Sequence, residues 1–229
     1  MTAPQAAQRT KKDLSDLLSS LIERHVADDQ NFPVLRRLSD ETWEVSFGGA
    51  EHVFIAMRDI DYQDLYRELC EKRSYSVKLI DGGLLQLQYK FDKNGTLLKH
   101  RLAFYPSPSL RSFQDDPDAY MREEPFIDIV RRRIVPFLLR FDYDDEAARD
   151  VVHPTCHLTL GDVEGCRIPV SAPLSPRWFI DFILRNFYQT EKHDFVRDLP
   201  AHSVTFPESI TKSERALIHM VVPYGACTS

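Results

Sequence analysis

The chain has 229 residues, 43% of them hydrophobic and 28% charged, with a formal net charge of -6 at pH 7 and a pI near 5.8. That length supports one well-buried domain without staples, and the acidic balance excludes a protein that coats nucleic acid by bulk attraction, leaving only a local basic groove. Four scattered cysteines, no charged-then-apolar leader and no apolar run near ~20 residues lead to the expectation of a soluble cytoplasmic protein that does not enter a membrane.

Met1 to Arg9 is small and polar and reads as a disordered tail, with a single α+β domain over 10–229. Leu14, Leu17, Leu18, Leu21 and Ile22 follow the i, i+3, i+4, i+7 rule and predict a helix from Lys11 to Val26. Trp43, Val45 and Phe47, then Gly48-Gly49, then Val53, Ile55 and Met57 have the alternation of a hairpin. Asp61 caps a short helix whose inner face is Tyr62, Leu65, Tyr66 and Leu69.

Three strands follow, Ser74 to Ile80, Leu84 to Phe91 and Thr96 to Tyr105, joined by Asp81-Gly82-Gly83 and by Asn94-Gly95, a two-residue hairpin turn. Counting back from that turn pairs Phe91 with Leu98, Tyr89 with His100, Leu87 with Leu102 and Leu85 with Phe104. Lys90 then lies beside Lys99 and Gln88 beside Arg101 on the other face, and His100 becomes a hydrogen-bonded core histidine.

Tyr105 to Asp118 is a proline- and serine-rich surface loop, long enough for a binding loop. Pro125 opens a helix with Phe126, Ile129, Val130 and Ile134 inside and Arg131 to Arg133 at its cationic end. Strands are expected at Phe137 to Asp144, His157 to Leu160 and Cys166 to Val170. Ser175-Pro176 starts an aromatic helix with Asp181 and Arg185 on its outer side, and Thr211 with Glu214 caps a final helix ending near Pro223. The fold class is α+β, a curved antiparallel or mixed sheet built from hairpins with helices packed mainly on one face.

Polar groups concentrate between Ile134 and Arg167. Alternation along Phe137 to Asp144 places Arg140, Asp142 and Asp144 on one face, and the following strand brings His157 to the same side with His153 nearby. Carboxylates with an imidazole suit Mg²⁺ or Mn²⁺, or an acid and base at a phosphodiester, with Arg101, Arg140 and Arg167 as phosphate contacts. The structural alternative is a solvated strand face, or an Asp142–Arg167 ion pair that satisfies a buried guanidinium without catalysis. A zinc site from His153, Cys156, His157 and Cys166 has suitable residue types, but adjacent Cys156 and His157 point to opposite faces of a strand. Nothing near the cysteines identifies an activated thiolate.

Taken together, GGLLQLQYKF, HRLAFYPSP, LLRFDYD, HPTCHLTLG, CRIPV and SPRWFIDFILRNFY resemble a bacterial family, domain of unknown function 2290. The order YxF, hxFDYD, HPxxH is also similar to small toxin proteins of the TumE type. These resemblances imply a bacterial accessory protein of a defence or toxin-type system acting on nucleic acid, with a protein partner encoded nearby. In that role Asp142, Asp144, His157 and His153 are the catalytic candidates. The other class is a non-catalytic interaction or regulatory subunit, antitoxin-like, whose polar cluster is a structural ion-pair network.

Overall fold

A computed structural model describes residues 2–38, 41–48, 60–109, 118, 138–161, 163, 165–188, 196–201 and 203–223. Among these, helix α1 (Gln5–Glu23) precedes strands β1 (Ala27–Gln30), β2 (Val34–Arg37) and β3 (Trp43–Ser46). Helix α2 (Tyr62–Glu71) leads into β4 (Val77–Leu79), β5 (Leu84–Phe91) and β6 (Leu97–Tyr105). Strands β7 (Leu139–Asp144), β8 (Cys156–Leu160) and β9 (Ile168–Pro169) are followed by α3 (Pro176–Phe187) and α4 (Lys212–Arg215). The nine strands form one sheet whose strand pairs are all antiparallel, in the order β1-β4-β5-β6-β7-β8-β9. Strand β5 shares its far edge, with β4 beside Leu84 and Leu85 and β3 beside Tyr89 to Phe91.

One sheet face carries Leu85, Leu87, Tyr89, Leu102, Phe104, Leu139, Phe141 and Leu158. It packs against Leu14, Leu17, Leu18 and Leu21 of α1 and Phe179, Ile180, Ile183 and Leu184 of α3. Alternation therefore sends the intervening residues of the same strands to the opposite face. There α2 covers one end, with Tyr62, Leu65 and Tyr66 against Leu84, Ala103 and Tyr105. The expected α+β class, with helices mainly on one side, is the class observed.

Several boundaries differ from expectation for identifiable reasons. Residues 5–9, expected in a disordered tail, are the first turns of α1: Ala7 is fully buried and the Thr10 hydroxyl bonds back to the Ala6 carbonyl. Asn94-Gly95 does not make a two-residue turn, because that turn needs positive φ at both residues and among these only Gly95 (φ 89°) has it. Instead the Gly95 N–H donates to the Asp92 carbonyl at 3.1 Å and the Asp92 carboxylate accepts from the Asn94 and Thr96 N–H groups. Phe91 pairs with Leu97, and a register shift there absorbs one residue, so every expected pair from Lys90–Lys99 to Leu85–Phe104 is kept.

The final helix stops at Arg215 instead of running to Pro223. Beyond it the Met220 N–H donates to the Pro169 carbonyl and the Ser171 N–H donates to that of Met220, each at 2.8 Å, so the chain is drawn along the sheet edge. Asp181, expected on the outer side of its helix, is buried beside Arg177 and also binds Arg185. His100 is a core histidine as expected. Its Nε2 accepts from the Leu174 N–H at 3.2 Å, and Tyr89 donates to the Leu174 carbonyl, so the sheet pins the entry to α3. The return strand with Val53, Ile55 and Met57, the helix opened by Pro125 with Arg131 to Arg133, and Cys227 lie outside the described residues.

At Gly83 the sheet and the end of α3 approach closely. The Tyr188 hydroxyl donates to Asp81 Oδ1 at 2.7 Å and the Gly83 N–H donates to the same oxygen at 3.0 Å. A Cβ at position 83 would sit 2.7 Å from the Tyr188 hydroxyl and 2.9 Å from the Phe104 ring. Gly83→Ala is expected to lower unfolding free energy by about 1–3 kcal/mol through overpacking. Urea denaturation checks this, and an unchanged midpoint would show that the junction yields freely.

Candidate functional site

Register alone assembles the site. On the face away from α1 and α3, Gln88, Arg101, Asp142, His157 and Pro169 form one row across β5, β6, β7, β8 and β9. One step along, Ala103, Arg140 and Thr159 form the next row, and one step the other way Lys90, Lys99 and Asp144 form a third. The expected grouping of Arg140, Asp142 and Asp144 on one face with His157 is therefore present, and Arg101 joins directly opposite Asp142.

Within the row, Asp142 is the hub. Arg140 Nε donates to its Oδ2 and Arg101 Nε to its Oδ1 at 3.5 Å, while His157 Nε2 lies 3.9 Å from Oδ2. The Asp142 side chain is 13% exposed and that of His157 4%. Burial alone would raise the Asp142 carboxyl, but the Arg140 and Arg101 guanidiniums outweigh it and hold the group below its ordinary value. Burial lowers the pKa of His157 despite its bond to the Pro154 carbonyl and the nearby Asp142, so this imidazole is neutral at pH 7.

A backbone carbonyl fixes the tautomer of the neutral His157, because a carbonyl only accepts: its Nδ1 donates to the Pro154 carbonyl at 2.9 Å, leaving Nε2 as the lone-pair nitrogen, while His153 Nδ1 donates to the Ala147 carbonyl at 2.6 Å. His153 is held in a tight turn by reciprocal backbone bonds with Arg149, which sets its ring 4.9 Å from that of His157. The Pro154 carbonyl thus aims the His157 ring.

Two expected members stand apart. Asp144 binds Lys99 Nζ and accepts from the Ala147 N–H, so it serves the neighbouring row and the following turn. Arg167 is exposed at the short strand β9, near enough to His157 to disfavour its charged form. The expected Asp142–Arg167 pair is replaced by Arg101 and Arg140, since a residue entering an edge strand reaches solvent more easily than the carboxylate two strands away. Lys99 joins the site through the Lys90–Lys99–Asp144 row, and extending the β5–β6 count to β7 is the sequence signal that finds it.

The donor set does not suit a divalent cation. Both Asp142 oxygens face guanidinium groups, Asp144 faces an ammonium, and among the described residues no three His, Cys, Asp or Glu side chains converge. The Mg²⁺ or Mn²⁺ expectation therefore finds no fit here, and no step below uses a metal. The zinc set fails on geometry, because Cys156 points to the opposite face, where its thiol donates to the Ala172 carbonyl and burial pushes its pKa well up. Among the described residues no helix is long and apolar enough to cross a membrane.

A family model described as "Uncharacterized conserved protein (DUF2290)" matches residues 26–222. Neither the curated proteins nor the solved structures give a match.

Proposed function

We propose a function for this chain from the premise that it belongs to the family described as "Uncharacterized conserved protein (DUF2290)": it binds an RNA phosphodiester and cleaves it without a metal. One observation carries the reading, the fixing of two guanidiniums by one buried carboxylate beside a neutral imidazole. Arg140 meets Asp142 through Nε, so its two Nη groups are not spent on that carboxylate and present the fork geometry that suits phosphate. Asp142 is then a positioning residue rather than a base. Without a metal to generate hydroxide, the nucleophile within reach of a neutral histidine is the ribose 2′-hydroxyl. His157 Nε2 takes its proton as the 2′-oxygen bonds to phosphorus, and the bond to the 5′-oxygen breaks as that oxygen takes a proton from water. As the sequence resemblance implies, the protein would serve as an accessory of a bacterial defence or toxin-type system, beside a protein partner encoded nearby.

A second reading has its own support. Both Asp142 oxygens already face guanidiniums and the cluster is largely buried, as in an ion-pair network of a non-catalytic, antitoxin-like or regulatory subunit. Incubation of labelled single-stranded RNA with the full chain in excess EDTA separates the two. Cleavage is expected, lowered about 10²-fold or more in His157→Gln. Arg140→Gln is expected to weaken binding of the same RNA. Intact RNA and no binding by the wild-type chain would leave the structural network as the reading.

A further inference from the structure

Two glutamines stand two residues apart on the same face of β5, and only one is accounted for. Gln86 has a partner at each end of its amide, with Nε2 donating to the Ser74 carbonyl at 2.6 Å and Oε1 accepting from the Tyr105 hydroxyl at 3.3 Å. Gln88 is 6% exposed, yet among the described residues its Nε2 has no hydrogen-bond partner. A buried amide donor without a partner is costly and uncommon. Nothing in the packing of β5 requires one, since Leu87 and Tyr89 on either side supply the core.

Position gives the orphan a use. Gln88 lies directly opposite Arg101, in the row that continues to Asp142 and His157. It is two strand spacings from β7, roughly 10 Å, about the reach from a phosphate to the edge of its own base. We infer that Gln88 reads the base of the nucleotide whose phosphate Arg140 holds, donating from Nε2 to an acceptor on the base edge. A glutamine amide, donor and acceptor side by side, matches the N6/N7 edge of adenine. The inference rests on the phosphodiester reading and adds to it a base preference, with β5 as the base-binding strand and β7–β8 as the phosphate-binding strands.

The test compares binding of a short oligoadenylate with that of the matching abasic ribose-phosphate oligomer, using the full wild-type chain and Gln88→Leu. The wild type is expected to prefer oligoadenylate by about tenfold, the contribution of one good base contact. Gln88→Leu is expected to bind both oligomers alike, at the abasic level. Its thermal midpoint should be equal or higher, because a buried orphan donor has been replaced by an apolar side chain. Retained preference in Gln88→Leu overturns the inference. Equal binding of both oligomers by the wild type overturns it while the phosphodiester reading stands, and binding of neither overturns both.

Discussion

Asp142→Ala is expected to lower the unfolding free energy by about 3–5 kcal/mol, the range for removing one partner of a buried charged network. Asp142 is the anion between Arg101 and Arg140, with His157 alongside. Its loss leaves two cations close together on a largely covered sheet face, where screening by water is weak. Asp142→Asn keeps the shape and one acceptor but not the charge, so a smaller loss is expected. In Asp142→Leu with Arg140→Leu, hydrophobic replacement of both partners should recover part of the loss, a coupling that a double-mutant cycle measures. Urea denaturation of each protein gives these values, and a loss under about 1 kcal/mol in Asp142→Ala would sink the idea of a strongly coupled network. A large loss also means that inactivity of Asp142 variants says little about chemistry. His157 and Arg140 are therefore the better probes of function.

How much was legible depends on how local the signal is. The β5–β6 pairing could be counted from the sequence because alternation and turn residues lie within a few positions of each other. It survived a wrong turn type only because the shift at Phe91–Leu97 cancelled the extra turn residue. The common face of Arg140, Asp142 and Asp144 followed from strand period alone. That Arg101 lies opposite Asp142 did not, since the β6–β7 register is set by Leu102 packing beside Phe141 and Phe104 beside Leu139 across nearly forty residues of chain. Arg167 was misplaced because nothing local announces that β9 is two residues long, and the last helix because edge pairing of Met220 with Val170 competes with a helical pattern that looks adequate alone. The Gln88 Nε2 without a partner among the described residues has no sequence signature, since Gln86 has the same strand parity and its Nε2 is bonded.

Acid is expected to weaken the fold well above the carboxylate range, with His100 as the main cause. Burial depresses its pKa from 6.5 to about 4, against the pull of Asp142. The folded chain keeps this ring neutral so that Nε2 can accept from the Leu174 N–H, whereas the unfolded chain protonates it near pH 6.5. The unfolded state therefore binds more protons between these limits. Stability is fully present above pH 6.5, falls as pH drops towards about 4, and levels off for this group below that. At about 1.4 kcal/mol per decade, the whole interval corresponds to roughly 3 kcal/mol. His157 is shifted in the same direction, also by burial, and adds to the slope. The depressed Asp142 carboxyl contributes stability that is lost only below its unfolded value near 3.8, so its effect appears at lower pH. Urea denaturation at about pH 7.5 and about pH 4.5 should show the wild type losing about 2–3 kcal/mol between the two. His100→Gln keeps an oxygen that can accept from Leu174 but cannot titrate, so it should lose less than about half as much over the same interval. Equal losses in the two proteins would place the acid sensitivity elsewhere than in the histidine that ties the sheet to the start of α3.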